Sequence, residues 1–287
     1  MWKKFRKRRS AVIGAGLIAF FSLTALLAPV LAPVPQYSRD AYQIPQEGYS
    51  PDPRPPSREH IFGTTEQQYD LYYGIVWGTR TAFKIGVSIV LISLAVGVFL
   101  GSAAGYYGKW VDEILMRFTD IILAFPDLVL AVVIVAVLGP GIEKVTVALA
   151  AVYWPTYARL IRGDILSIKE REFVLAARAL GASDFRILSR HIIPNCIYPL
   201  LVVASLSMGR IVITAAALSF LGLGAPPGYA DWGMLISLSR NWILGTSANA
   251  FEYWHTVFIP GMVIFLFVLG WNLLGDGLRD ILDPRQT

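Results

Sequence analysis

Residues able to do covalent chemistry are scattered in this chain rather than grouped. The three histidines, His60, His191 and His255, lie in different segments, and the single cysteine, Cys196, excludes a disulfide framework. The sequence has no Gly-x-x-x-x-Gly-Lys-Ser/Thr phosphate loop and no His-Glu-x-x-His metal motif. We therefore expect no catalytic residue, no metal site and no cofactor in this chain, and we do not expect it to be an enzyme.

A charged insert between two long apolar runs, from Glu172 to Asn195, has a spacing that predicts docking of a partner surface. Apolar and small residues recur at i, i+3, i+4 and i+7, which gives a short helix one apolar stripe: Phe173, Ala176, Ala177 and Leu180. Gly181 suits a left-handed helix stop, and Ser183 can cap a second helix that runs into Pro194. The pattern predicts a knob made of a helix, a glycine corner and another helix.

Two ionisable residues, Asp127 and Arg210, interrupt apolar stretches. At 1.5 Å per residue they lie about 14 and about 20 Å from the inner ends of their predicted spans, near the middle of a core about 30 Å thick. An isolated charge at that depth costs at least about 2.5 to 3.5 kcal/mol. We expect the two residues to pair with each other, to find separate partners on another subunit, or to face a watery cavity.

Membrane helices are the elements that must position these residues. Hydrophobic residues make up 55% of the chain and the mean hydropathy is +0.55, values that are rare in soluble domains. Six stretches approach the length of about 20 apolar residues that a spanning helix needs: 11–32, 83–107, 118–138, 145–161, 196–223 and 256–274. We predict an all-α integral membrane protein with about six transmembrane helices.

Basic residues sort by side of the membrane. Segments predicted to lie inside hold 17 of the 25 Lys and Arg residues, and segments predicted outside hold 6. This positive-inside pattern, rather than nucleic acid binding, accounts for the net charge of +5. The predicted order is a basic cytoplasmic N-terminus (1–10), a first helix (11–32), an extracytoplasmic Pro-rich loop (33–82), a five-helix domain with the knob in loop 163–195 (83–275), and a cytoplasmic tail (276–287).

Three segments leave alternatives open. Span 11–32 could instead be a cleaved signal peptide, although its apolar run is longer than such peptides normally have. The Pro-rich loop 33–82 is either a solvated tether or a cap that meets an external partner. In the second span Gly97, Gly101 and Gly105 put a small residue at every fourth position, which permits close approach of a helix from the same chain or from another subunit.

Several motifs resemble those of ABC importer permeases. In the coupling loop of that family an Ala-Ala-x-x-x-Gly element precedes a proline by about a dozen residues, as Ala176, Ala177, Gly181 and Pro194 do here. Further motifs resemble the second, C-type permease of the dipeptide, oligopeptide and nickel class: Phe62-Gly-Thr64, Asp120-Ile-Ile-Leu-Ala-Phe-Pro126, Arg159-Leu-Ile-Arg-Gly163, Leu218-Ser-Phe-Leu-Gly-Leu-Gly224, Asp231-Trp-Gly233 and Asn272-Leu-Leu-Gly-Asp-Gly-Leu-Arg-Asp-Ile-Leu-Asp-Pro284.

The resemblance implies a type I ABC importer permease of the prokaryotic cytoplasmic membrane that moves peptides by alternating access. The implied partners are a sister permease, two cytoplasmic ATPases that bind ATP and Mg, and an extracytoplasmic solute-binding protein. Beyond the family motifs, which do not include them, one or both of Asp127 and Arg210 would line the translocation cavity and balance a charged cargo such as a zwitterionic peptide. The knob would contact the ATPase through Glu172, Phe173, Ala176, Ala177, Arg178, Leu180 and Gly181.

One departure from the family pattern and two alternative functions accompany this resemblance. Leu175 stands where the family usually has a glutamate before the two alanines, so Glu172 would have to supply a polar contact. The same scaffold could import nickel chelates, glutathione-like compounds or oligosaccharides, or could belong to a non-importing ABC membrane complex. A membrane-embedded enzyme would need convergent polar residues at one depth, and the spans offer only Asp127 and Arg210.

The distribution of basic residues predicts which side of the membrane two serines occupy. In a Cys196→Ser background, Ser183→Cys is expected to react with an impermeant thiol reagent only from the cytoplasm, and Ser57→Cys only from outside. Labelling of right-side-out and inverted vesicles measures this. If both cysteines reacted from the same side, the predicted number of membrane crossings between them would be wrong by one.

Overall fold

The fold, seen in a computed structural model, is almost entirely helical. The structure describes residues 8–36, 40–46, 48–50, 52–242 and 251–282. These residues form no β-strand and only three isolated bridges, so the predicted all-α class is confirmed. The basic residues before Arg8, residues 283–287 of the predicted tail, and Pro51 in the outer loop lie outside the described residues.

Ten helices follow one another along the described parts of the chain, with 3-10 turns at Glu66–Gln68 and Arg240–Trp242. They are α1 (Arg9–Leu31), α2 (Leu71–Tyr107), α3 (Lys109–Leu123), α4 (Asp127–Leu138), α5 (Ile142–Ile168), α6 (Glu172–Ala179), α7 (Asp184–Ile187), α8 (Ile193–Phe220), α9 (Trp232–Ser237) and α10 (His255–Leu282). A π-helical turn, Leu188–Ile192, joins α7 to α8.

The helix count is roughly consistent with the predicted number of about six spans, and each helix can be tested for both length and apolar character. Within the described residues four units qualify, namely α1, α2, the continuous α7–α8 unit and α10, and the bent pair α3–α4 makes a fifth if it is one span. The predicted fourth span lies in α5, which is 27 residues long but carries charged residues towards both ends. α5 contains Pro155 without a break in the helix.

The predicted third span, 118–138, contains a bend, since α3 and α4 meet at an angle of 92°. Pro126 stands at the break with φ −59° and ψ 130°, outside the helical region. A proline also disfavours helical backbone in the residue before it, here Phe125, so α3 stops before the proline and α4 starts after it.

The second span begins earlier than predicted, at Leu71 rather than at 83. The carboxylate of Asp70 accepts a hydrogen bond from the backbone N–H of Tyr73 at 2.8 Å, which caps the first turn. About three turns of α2 therefore lie in what the sequence predicts to be the outer loop.

Close packing of α2 against α5 is the most extensive helix contact in the structure. The two helices run parallel, since residues near the carboxyl end of one meet residues near the carboxyl end of the other. A Cβ atom added to Gly97 would lie 2.6 Å from Cβ of Tyr157, and one added to Gly105 would lie 3.0 Å from Cβ of Ile165. Gly101, between them, meets the backbone of α5 in the same way. The glycine column thus brings two helices of the same chain together.

The first and last described helices, α1 and α10, pack antiparallel. A Cβ atom on Gly14 would lie 2.6 Å from the backbone nitrogen of Leu274. In the same register an ion pair joins Arg8 to Asp280 at 2.5 Å. This pairing keeps the described N-terminal helix in contact with the last helix.

The outer segments pack against each other and against the helix bundle. Asp231 caps α9 by accepting from the N–H of Met234 at 2.9 Å, and burial raises the pKa of its carboxyl group. Trp232 next to it donates to the carbonyl oxygen of Ile75 at 3.1 Å. The N–H of Ile44, in the Pro-rich loop, donates to Gly228 at 2.8 Å. The described part of that loop is therefore attached to the second outer segment rather than a free tether.

The glycine column yields a prediction about stability. Gly101→Leu is expected to lower the thermal stability of the subunit strongly, because overpacking of a close contact costs typically 1–3 kcal/mol. Gly16→Leu on α1 is the matched control, since a Cβ there meets nothing within 4 Å. The fraction of monodisperse protein left after heating in detergent measures both. Equal losses for the two variants would contradict the packing role.

Candidate functional site

The knob ends its first helix at a glycine, as the sequence predicts. Gly181 has φ +78°. Its N–H donates to the carbonyl oxygen of Arg178 at 3.0 Å, and the N–H of Ala182 donates to Ala177 at 3.1 Å. These two bonds satisfy carbonyls at the end of α6 and turn the chain sharply.

The second helix of the knob differs from the prediction. Ser183 occupies the N-cap position of α7, but its side chain makes no capping hydrogen bond. The helix does not end at Pro194; it continues through the π-helical turn into α8, where Pro194 lies in the first turn. Proline has no N–H to donate at this position, where the hydrogen-bond pattern changes from π-helical to α-helical.

One face of the knob is buried against α5 and α8. Val174, Ile187 and Ile192 are fully buried, and they pack in one apolar cluster with Ile165 and Tyr157 of α5. The helices of the same chain shield all three side chains from water. This packing fixes the knob to α5 and α8.

The opposite face of the knob is apolar and exposed. The exposed fraction is 42% for Phe173, 88% for Leu180 and 81% for Phe185. Ala176 and Glu172 are exposed beside them, whereas Ala177 is half-buried against the inner cluster. Large apolar side chains exposed together on a loop outside the apolar helices are typical of a protein contact surface.

Arg178 is held by its own chain. Its guanidinium group lies over the ring of Tyr106 at 5.8 Å from the centroid, and the Tyr106 hydroxyl donates to Asp184 at 2.6 Å. Sequence periodicity does not predict this contact, because Tyr106 lies at the carboxyl end of α2, 72 positions earlier in the chain.

Two arginine–aspartate pairs join motif 159–163 to α3, and one of them reaches motif 120–126. Arg159 binds Asp120 at 2.6 Å, and Arg162 binds both oxygens of Asp112 at 2.5 and 2.6 Å. A signal for these pairs existed in the spacing, since the acids lie eight residues apart on α3 and the arginines three apart on α5, each set on one helix face. The pairs hold the bent α3–α4 unit to α5.

Asp127 and Arg210 also form an ion pair, with 2.6 Å between Oδ2 and Nη2. The side chain of Arg210 is 70% exposed and that of Asp127 is 23% exposed. Beside them the hydroxyl groups of Tyr153 and Thr214 form a hydrogen bond at 3.1 Å. An exposed guanidinium in lipid would cost about 2.5 to 3.5 kcal/mol or more, so this surface of α8 does not face lipid.

A metal role has no support in the described part of the chain, where no three His, Cys, Asp or Glu residues come together. His60 binds Asp70 at 2.7 Å in the outer loop, while His255 is buried at the start of α10. The described arrangement offers ion pairing and docking surfaces.

Sequence comparison identifies relatives along the whole chain. Residues 97–287 match the family described as "Binding-protein-dependent transport system inner membrane component", and residues 1–51 match "N-terminal TM domain of oligopeptide transport permease C". The chain is 40% identical over 285 residues to the dipeptide transport system permease protein DppC of Alkalihalophilus pseudofirmus, covering 99% of this chain and 89% of that protein. It is 37% identical over 284 residues to the glutathione transport system permease protein GsiD of Pectobacterium atrosepticum, covering 99% and 90%.

Solved structures of ABC transporters share the fold. An inward-facing form of the MetNI methionine ABC transporter superposes with a TM-score of 0.54 at 19% identity, covering 74% of this chain and 95% of that chain. An amino acid ABC transporter with histidines gives a TM-score of 0.52 at 20% identity, covering 73% and 94%. At this level of identity the similarity concerns the fold alone.

The ion pairs of α3 predict that two neighbouring carboxylates differ in their contribution to stability. Asp112→Asn is expected to destabilise the subunit by about 1.5 to 3 kcal/mol, because it weakens a two-point charged hydrogen bond to half-buried Arg162. The adjacent change Glu113→Gln is the control, since the Glu113–Arg117 pair is exposed and 3.2 Å long and should cost about 0.5 kcal/mol or less. Apparent melting temperatures in detergent compare the two. A larger loss of stability for Glu113→Gln than for Asp112→Asn would contradict the stabilising role of the Asp112–Arg162 pair.

Proposed function

This chain belongs to the family of binding-protein-dependent transport system inner membrane components, and we propose that it is the C-type permease subunit of an ATP-driven importer of peptides. Relatives that align over 99% of the chain are named as dipeptide, glutathione and peptide permeases. Peptide bonds and free carboxylates are the chemistry that these cargoes share, which supports a peptide cargo here.

The subunit works within a larger assembly. A sister permease completes the translocation pathway, two cytoplasmic ATPases bind ATP and Mg, and a solute-binding protein delivers cargo from outside. The positive-inside distribution, with 17 of 25 basic residues in the predicted inner segments, supports a cytoplasmic location for both termini and for the knob.

The exposed apolar face of the knob is the observation that supports the coupling role. Leu180 and Phe185 are the most exposed large apolar side chains of the knob, and no described element of this chain covers them. A cytoplasmic ATPase that covers this face would gain the burial of both side chains.

Coupling then follows from the buried face of the knob. Because Val174, Ile187 and Ile192 are fixed to the inner ends of α5 and α8, a displacement of the knob by the ATPase moves those helix ends with it. Closure of the ATPases on ATP thus changes access to the cavity between the permeases, which is alternating access without chemical conversion of the cargo.

A charge in the exposed face is expected to uncouple the subunit. Leu180→Asp should lower binding-protein-stimulated ATP hydrolysis in the reconstituted complex at least about tenfold, equivalent to about 1.4 kcal/mol of lost contact energy. Membrane insertion and yield should stay normal, because Leu180 packs on little of its own chain.

Ile61→Asp is the matched control, since Ile61 is a 56% exposed aliphatic residue of the outer loop. It should leave stimulated hydrolysis unchanged. Ala177→Trp should also reduce coupling, but Ala177 is half-buried, so that variant perturbs the knob itself. Normal stimulation of ATP hydrolysis in Leu180→Asp would show that the ATPase does not bind this face.

A further inference from the structure

The guanidinium group of Arg210 is unusually exposed for a charged group so deep in a helix bundle. A guanidinium group carries five N–H donors. The ion pair with Asp127 engages Nη2, and the side chain as a whole is 70% exposed. Donors are therefore available on the side facing away from Asp127.

The depth of the pair can be measured from a common end of the helices. The N–H of Gly141 donates to the carbonyl oxygen of Leu223 at 3.0 Å, which ties the end of α4 to the end of α8. Arg210 lies ten residues before Phe220, and Asp127 eleven before Leu138. At 1.5 Å per residue these are about 15 and about 17 Å, near the middle of the hydrocarbon core. That distance exceeds what an arginine side chain can span to reach the interface, so its free donors face water or another polar group.

The wall around the pair is polar and has no net charge. Thr214 lies one turn along α8 from Arg210, and its hydroxyl is bonded to that of Tyr153 at 3.1 Å. Asp127 cancels the charge of Arg210. A zwitterion with one carboxylate and one ammonium group is complementary to such a pair, since the total charge in the site stays zero when it binds.

We propose that Arg210 is a binding residue for the carboxylate of peptide cargo in transit, and that Asp127 is the positioning residue that orients the guanidinium. The inference rests on the proposed function. A carboxylate can accept two parallel N–H bonds from a guanidinium group, a geometry that lysine cannot offer. The ammonium group of the same peptide compensates the charge of Asp127 while the carboxylate competes for Arg210.

Uptake of a matched pair of peptides tests the proposal. The probes are radiolabelled trialanine and trialanine amide, which differ only in the terminal carboxylate, in proteoliposomes with the complete complex. Arg210→Met should lower trialanine uptake at least about tenfold more than trialanine amide uptake. Arg210→Lys should restore part of the difference, and Asp127→Asn should reduce the preference less than Arg210→Met does. Arg159→Met, which breaks an ion pair of the same length on α5, is the control and should affect both peptides alike.

The outcomes separate the inference from the proposed function. Uptake of neither peptide by the wild-type complex overturns the peptide assignment together with the inference. Equal loss of both peptides in Arg210→Met, or a complex that fails to assemble with Arg210→Met but assembles with Arg210→Lys, overturns the inference alone, and the second result places Arg210 at a subunit contact.

Water access to the surface around Arg210 gives an independent measurement. Ala217 lies two turns along α8 on the same face, and Ala217→Cys in a Cys196→Ser background should react with a charged thiol reagent in at least one of the nucleotide-free and ATP-bound states. Leu23→Cys is the control, because Leu23 is 56% exposed on the face of α1 that points away from α10, and it should stay unreactive. An unreactive Ala217→Cys in both states would overturn the proposal.

Discussion

The close approach of α2 and α5 is the contact on which the rest of the structure depends. In lipid, the hydrophobic effect does not drive helices together, so backbone-to-backbone packing at small residues must do so. Gly97, Gly101 and Gly105 provide that surface against α5. Once α5 is fixed, its arginines face α3 and its inner end presents Ile165 to the knob.

The same scaffold separates two kinds of surface. Buried aliphatic residues fix the knob to the bundle, while Leu180 and Phe185 remain exposed. Deeper in the bundle, an apolar core joins the helices, and the Asp127–Arg210 ion pair leaves much of its guanidinium group exposed. The knob is therefore firmly attached on one side and exposed on the other.

Sequence patterns predicted the local features well and the tertiary ones poorly. The stop at Gly181 and the apolar spans depend on neighbouring residues, and both appear in the structure. Pro126 is a sequence signal for the bend between α3 and α4. The prediction of a single span followed the length of the apolar run instead. The start of α2 at Leu71 and the contact of Arg178 with Tyr106 depend on packing between distant segments, which periodicity does not encode.

Parallel packing of α2 and α5 also has an electrostatic consequence. Each helix has a partial negative charge at its carboxyl end, and parallel neighbours place these ends side by side, where they repel each other. Lys169, directly after α5, donates from Nζ to the carbonyl oxygen of Gly105 near the end of α2, at 3.1 Å. One ammonium group thus neutralises both helix dipoles, an interaction of about 0.3 to 1 kcal/mol per helix end. The ammonium group of Lys169 thereby offsets the repulsion that parallel packing creates between the carboxyl ends of α2 and α5.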